Sequence, residues 1–114
     1  NVKDALVNAT ELDTTLIMRP LRNTERVLKN TAVDRILQKE KDLGDKVQIQ
    51  DIFGEVAGVY PKIMKEGTMD AGAWSCGMVA GLIHDIPTCK ELVERIVSEA
   101  EKIINERLNK VRVA

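Results

Sequence analysis

Few side chains in this sequence could carry out chemistry. His84 is the only histidine, and Cys76 and Cys89 are the only cysteines. A metal site in a protein uses three or four ligands, and no further ligand joins His84, Asp85 and Cys89, so we predict no metal site. Ser75 lacks the G-x-S-x-G context of an activated serine nucleophile. We therefore assign no catalytic residue, and we expect His84 to be solvated or at a helix end.

The best indication of a binding pocket is Trp74, the only tryptophan, which lies beside Ser75 in a glycine-rich segment. A tryptophan can equally be a core anchor, so both interpretations stay open. The segment does not match a phosphate-binding loop, because no Lys-Ser or Lys-Thr follows its glycines and no strand precedes them.

The same segment carries a stripe of very small residues. We predict a helix over residues 73–84, on which positions i, i+4 and i+8 are Ala73, Gly77 and Gly81. Such a stripe lets another element pack closely against the helix, or lets a flat ligand approach its backbone.

A second candidate site consists of three arginines close in sequence, Arg19, Arg22 and Arg26. Together they could bind an anion. The alternative is that they are solvated and bonded locally to backbone carbonyls, which is the usual state of exposed arginines.

The secondary structure predicted around these residues is mostly helical. Apolar spacing predicts short helices over residues 2–10, 49–59 and 61–67, and strand-like character over residues 14–18. A cap at Thr31 begins a helix that ends at Gly44. The capping box Thr88-x-x-Glu91 begins a C-terminal helix of about 24 residues with a continuous apolar stripe.

Composition excludes several classes of function. The chain has 114 residues, a net charge of -1 and only 3% aromatic residues. The near-neutral net charge and the scarcity of aromatic residues argue against binding to nucleic acid, and the charge also argues against binding to an acidic membrane surface. No apolar run is long enough to span a membrane, and we expect a cytoplasmic protein with reduced cysteines. Residues 52–83 are poor in charge and contain six of the seven glycines, so we expect that segment to be buried or to face a partner.

Two sequence blocks resemble a known family. One is Asp13-Thr-Thr-Leu-Ile-Met-Arg-Pro-Leu-Arg-Asn-Thr24, followed by Arg26 and Asn30. The other is Gly67-Thr-Met-Asp-Ala-Gly-Ala-Trp-Ser-Cys-Gly-Met-Val-Ala-Gly-Leu-Ile83. Together they resemble the C-terminal part of the nitronate monooxygenase family, formerly called 2-nitropropane dioxygenase. The resemblance covers essentially the whole chain.

The resemblance implies a fold, a cofactor and a partner. Family members are FMN-dependent flavoproteins in which a TIM barrel carries a smaller helical domain over its C-terminal face. The FMN-binding loops and the catalytic histidine would belong to the barrel, so His84 does not inherit that role. Residues 1–71 would form the cap domain, and residues 72–114 would form a glycine-rich helix and a terminal helix returning to the barrel. The chain alone is expected to lack flavin and activity.

The resemblance also assigns residues to the substrate cavity, namely Trp74, Ser75 and Met78. Ser75 would offer its hydroxyl to an oxygen of a small-molecule substrate, for binding and orientation and not for nucleophilic attack. Met78 stands where many members have glutamine. Together with the unbroken Met-Arg-Pro-Leu-Arg-Asn-Thr block, it resembles the NADH:quinone reductase branch, in which NADH is the electron donor. Arg19, Arg22 and Arg26 would bind an anion or lie at the seam between the domains.

Two alternative functions are also compatible with the sequence. One is a nitronate monooxygenase that oxidises alkyl nitronates. The other, of a different class, is a helical interaction module that binds a partner through its apolar middle segment. Because a missing barrel would expose apolar surface, self-association of the chain is also expected.

Overall fold

Five α-helices form within residues 1–112, and three of them begin at a capping interaction of a polar side chain. The computed structural model describes residues 1–112, and its α-helices are α1 (Val2–Asn8), α2 (Thr31–Leu43), α3 (Ile49–Val56), α4 (Tyr60–Met64) and α5 (Cys89–Lys102). All five lie where the sequence predicts helices. The mostly helical fold is therefore confirmed.

Helix α2 shows how local chemistry sets the bounds of an element. The side chain of Asn30 accepts a hydrogen bond from the backbone N–H of Val33 at 2.9 Å, which makes Asn30 the N-cap. The predicted cap, Thr31, is instead the first helical residue. The helix ends at Gly44, whose φ of 56° is in the region that favours glycine. Its buried face contains Ala32, Val33 and Ile36.

Two short strands pair in antiparallel register, β1 (Thr14–Ile17) and β2 (Glu25–Leu28). The first agrees with the predicted strand character, whereas the second was not predicted. On its other edge, β2 pairs with the segment around Ser75 through a bridge between Val27 and Ser75. The bridge is held by hydrogen bonds from Leu28 N–H to the Trp74 carbonyl (3.3 Å) and from Cys76 N–H to the Arg26 carbonyl (3.1 Å).

The predicted helix over residues 73–84 is wrong. Its first part is extended, and only residues Met78–Leu82 form a short 3₁₀ helix. Backbone groups that a helix would pair locally are used at long range, since Ala73 N–H donates to the Glu55 carbonyl at 2.7 Å and Cys76 N–H donates to β2. The glycines also lower the intrinsic helix preference of the segment. Consequently Ala73, Gly77 and Gly81 do not form a stripe on one helix face.

The apolar core consists of two clusters. Successive side chains of β2 point to opposite sides of the strand, so the strand contributes to both clusters. Val27 belongs to the first cluster, which contains Ile17, Met18, Val27, Val33, Ile36, Ile52 and Ala73. Leu28 packs against the second, which contains Val59, Ile63, Trp74, Cys76 and Ala80. Residues of α1, including Val2 and Leu6, also pack against the second cluster. The strand pair therefore connects α2 and α3 on one side with α1 and α4 on the other.

Contacts divide the chain into two compact units, Asn1–His84 and Asp85–Ala114. In the first unit, residues 72–84 pack with the 71 residues that precede them.

In the second unit, a capping box begins α5. Thr88 accepts a hydrogen bond from Glu91 N–H while the Glu91 carboxylate accepts from Thr88 N–H, which confirms the predicted capping box. These bonds from Thr88 lower the pKa of Glu91. Beyond α5 the backbone continues as a π turn (Ile103–Arg107) and a 3₁₀ turn (Leu108–Val111), so the long helix is irregular at its end.

Candidate functional site

Trp74 lies in the core and also lines a cavity. Its side chain is only 2% exposed and belongs to the second apolar cluster. The cavity has a volume of about 480 Å³ and lies at the start of α2, with Leu28, Asn30 and Met69 among its lining residues. The indole Nε1 is buried and has no hydrogen-bond partner among residues 1–112. Trp74 is therefore a core residue that also borders a cavity, and its predicted role in a substrate pocket stays a prediction.

The side chain of Ser75 lies on the opposite side of its segment from that of Trp74. Neighbouring residues of an extended segment point to opposite sides, and Ser75 lies on the side of its bridge partner Val27. There the Ser75 hydroxyl donates to the Glu25 carboxylate and lies 3.0 Å from the Tyr60 hydroxyl. The Ser75 backbone N–H also donates to the Tyr60 hydroxyl, at 3.0 Å. The predicted Trp74–Ser75 pair is thus adjacent in sequence but contributes to two separate environments.

The three side chains Glu25, Ser75 and Tyr60 form a group that sequence reasoning missed. Strand β2 positions Glu25, helix α4 begins with Tyr60, and the bridge to β2 positions Ser75. Glu25 could not be placed because β2 was not predicted. Tyr60 carried a weak signal, since it is the only tyrosine of the chain.

The hydrogen bonds between these three side chains have a defined direction from donor to acceptor. A serine hydroxyl has one proton, and that of Ser75 is directed to Glu25. The contact between the two hydroxyls must therefore be donated by Tyr60 and accepted by Ser75. The result is a chain of hydrogen bonds from Tyr60 through Ser75 to Glu25.

Met78 is the third residue predicted for the cavity, and it is 55% exposed at the start of the 3₁₀ helix. It does not line the cavity beside Trp74. Exposed apolar side chains continue along this segment with Val79 and Leu82. The role of Met78 in a substrate cavity stays a prediction.

The small residues predicted to allow close packing have different surroundings. Ala73 is buried in the first cluster. A Cβ on Gly81 would lie 2.8 Å from the backbone nitrogen of Glu11, whereas a Cβ on Gly77 would meet only ordinary contacts. Gly72, which the sequence did not single out, is also tightly packed. A Cβ there would overlap the Val59 side chain and lie 2.6 Å from the Glu55 carbonyl oxygen.

The structure separates the three arginines. Arg19 and Arg22 are exposed in the turn between β1 and β2, where Arg22 N–H donates to the Arg19 carbonyl at 3.0 Å. Arg26 lies on β2, and its guanidinium donates to the Thr14 hydroxyl at 2.9 Å. Within the described chain, no acidic group lies within 4.0 Å of any of the three guanidinium groups. Their role in anion binding or at a domain seam stays a prediction.

The remaining titratable candidates add no second site. His84 is exposed, and the described residues contain no group of three or more histidine, cysteine or acidic side chains suited to a metal ion. Cys76 and Cys89 are unpaired, and burial raises the pKa of the Cys76 thiol, whereas Cys89 is exposed. The described helices include none with the length and apolar character needed to cross a membrane.

Comparisons with solved structures support the fold. The structure of FabK from Thermotoga maritima superposes with a TM-score of 0.77 and 24% identity, covering 96% of this chain and 33% of that one. A FabK mutant from the same organism gives a TM-score of 0.69 and 22% identity, covering 96% of this chain and 30% of that one. The described fold therefore matches one part of a larger protein.

Sequence comparisons match a shorter stretch. No family model matches the chain. One curated relative is the (3aS,4S,5R,7aS)-5-hydroxy-7a-methyl-1-oxo-octahydro-1H-indene-4-carboxyl-CoA dehydrogenase of Rhodococcus jostii, 48% identical over 54 residues, or 44% of this chain and 15% of that protein. The dehydrogenase of the same name from Mycobacterium tuberculosis is 46% identical over 49 residues, or 40% of this chain and 14% of that protein. The chain thus corresponds to a small fraction of these relatives and to about a third of the solved structures.

Proposed function

We propose that this chain is the helical region of an FMN-dependent oxidoreductase of the NADH:quinone reductase type. In this proposal the chain is a C-terminal part of the nitronate monooxygenase family, and its partner is the TIM-barrel portion of the same protein. The observation that carries the proposal is the superposition of 96% of this chain on a third of a larger protein. Local identity of 46–48% with two dehydrogenases agrees with an oxidoreductase role.

The residues present fit the wall of a flavin cavity better than an anchor for FMN. Ser75 and Tyr60 present hydroxyl groups at the surface, and Met78 presents an exposed thioether nearby in sequence. The chain has no phosphate-binding loop. The barrel would therefore bind FMN, and NADH would be a substrate of the whole protein. When bound, FMN would supply the two-electron chemistry that links NADH to an acceptor.

This chain would contribute substrate binding and exclusion of water. Residues 72–114 would lead back to the barrel, with Ser75 and Met78 facing the substrate and Trp74 supporting their segment from the core. Helix α5 buries none of its own residues, and its apolar side chains Leu92, Val93, Ile96 and Val97 are about half exposed. A barrel that covers such side chains would stabilise them, and without it the chain is expected to self-associate.

Nitronate oxidation is the alternative activity within the same family. Steady-state assays of the protein encoded by the natural gene distinguish the two. We expect oxidation of NADH that depends on a quinone such as benzoquinone, and little oxygen uptake with the anion of nitroethane. Rapid nitronate oxidation without NADH turnover would favour the alternative, and no flavin-dependent turnover with either substrate would contradict the proposal.

A further inference from the structure

The charge of the hydrogen-bonded group Glu25–Ser75–Tyr60 and the direction of its hydrogen bonds limit what it can bind. Tyr60 is 42% exposed and Ser75 is also exposed, so the group is accessible. In the described part of the chain, no lysine or arginine nitrogen lies within 4.0 Å of the Glu25 carboxylate. Its negative charge is therefore not neutralised by an ion pair.

Each hydroxyl proton in the group is already used. Tyr60 donates to Ser75 and Ser75 donates to Glu25, as the single proton of each hydroxyl requires. What remains free is acceptor capacity, namely the second carboxylate oxygen of Glu25 and the remaining lone pairs of the two hydroxyl oxygens. A ligand at this group would have to supply the proton of any new hydrogen bond.

We propose that Glu25 and Tyr60 are positioning residues that fix the Ser75 hydroxyl as a hydrogen-bond acceptor, and that the group selects ligands with a hydroxyl donor over anionic ligands. This deepens the proposed function, on which the identity of the ligand rests. The reduced form of a quinone, which is the product of the proposed reaction, has two hydroxyl groups and fits this requirement, whereas the quinone itself has only acceptor oxygens and would find no donor in this group. A nitronate is an anion with acceptor oxygens only, so it would find no donor and would be repelled by Glu25. The role expected for Ser75 is thereby reversed, from donor to acceptor.

The positioning role can be tested on the chain itself by NMR. Three-bond couplings between the α and β protons of Ser75 should show one rotamer in the wild type. Glu25→Ala should average these couplings, whereas Glu25→Gln should preserve them, because its amide oxygen can still accept the hydroxyl proton. Tyr60→Phe removes the acceptor of the Ser75 N–H and should speed the exchange of that amide by about fivefold, as expected for the loss of one hydrogen bond.

A matched control separates these effects from a general loss of charge or of structure. Glu66 is exposed, and Glu66→Gln should leave both Ser75 readouts unchanged. Fluorescence of Trp74 reports whether each variant is folded. An averaged Ser75 rotamer in the wild type would overturn the proposal. So would couplings that Glu25→Ala leaves intact.

Ligand selection can be tested without flavin or turnover. Hydroquinone added to the chain should shift the Ser75 amide resonance, and the nitroethane anion at the same concentration should not. In Glu25→Gln the difference between the two ligands should largely disappear. Equal shifts with both ligands in the wild type, or no shift with hydroquinone, would refute selection of a hydroxyl donor. Failure of the whole protein to bind flavin would refute the proposed oxidoreductase and leave these results standing.

Discussion

Asn30 is expected to be the most important polar side chain for holding the segment that carries Trp74 and Ser75. Its Oδ1 accepts from Val33 N–H at 2.9 Å, and its Nδ2 donates to the carbonyls of Met69 (3.0 Å) and Gly72 (2.9 Å). One half-buried amide therefore caps α2 and binds the loop that precedes Trp74.

The cost of removing this side chain follows from those three bonds. Loss of an N-cap costs about 1 kcal/mol, and loss of each of the other two hydrogen bonds costs about 1 kcal/mol. Asn30→Ala should therefore reduce the free energy of unfolding by about 3 kcal/mol. Asn30→Asp keeps the cap acceptor but has no donor for the two carbonyls, so it should cost about 2 kcal/mol.

Urea unfolding followed by Trp74 fluorescence measures these changes, because the only tryptophan is buried in the same compact unit. With a slope of about 2 kcal/mol per M, Asn30→Ala should lower the midpoint by about 1.5 M. Asn8→Ala is the matched control, since the Asn8 amide donates only to the exposed Asp4 carbonyl and should change stability by at most about 0.5 kcal/mol. An Asn30→Ala midpoint equal to that of the control would show that the three hydrogen bonds of Asn30 do not stabilise the fold.

Three further predictions concern glycines, acid titration and thiol reactivity. Gly72→Ala should destabilise the chain by about 1–3 kcal/mol through overlap in the core, while Gly54→Ala, which meets nothing within 4 Å in α3, should stabilise it by about 0.5–1 kcal/mol in the same urea assay. Because the capping bonds lower the pKa of Glu91, the stabilisation they give α5 is present above the ordinary glutamate pKa and is lost as the pH falls through the lowered one. An NMR titration should therefore place the Glu91 midpoint below 4.5, and a midpoint at or above that value would contradict the cap. A thiol reagent should modify Cys89 well before Cys76, and Cys89→Ser should leave only slow labelling, whereas fast labelling of that variant would contradict burial of Cys76.

The sequence was sufficient for elements that carry both a cap and an apolar face. Helix α5 begins at its predicted capping box, and α2 ends at the predicted glycine. In these elements the decisive interactions lie within three or four residues along the chain. Such local signals are present in the sequence whatever the rest of the fold does.

The sequence prediction was wrong where backbone pairing between different segments of the chain determines the structure. The spacing of Ala73, Gly77 and Gly81 is consistent with a helix, but hydrogen bonds to Glu55 and to β2 draw the backbone into an extended form. Strand β2 itself has four residues, of which Glu25 and Arg26 are charged, so its apolar pattern is weak. Both errors have the same cause, because each segment is extended through pairing with other segments of the chain and not through a strong pattern of its own.

At the candidate site too, the residues that the sequence did not single out are those brought in from other segments of the chain. Trp74 and Ser75 attract notice by residue type, and a sequence cannot show that they belong to different environments. The partners of Ser75 lie 50 and 15 residues away, at Glu25 and Tyr60. Only the arrangement of β2, α4 and the bridge segment brings those three side chains together.

The most direct test of the proposed function is an intact-mass spectrum of the protein encoded by the natural gene, recorded together with its visible absorption. We expect a polypeptide long enough to include a barrel, with the absorption bands of bound flavin and release of FMN on denaturation. A polypeptide no longer than this chain, purified folded and colourless from its natural source, would contradict it.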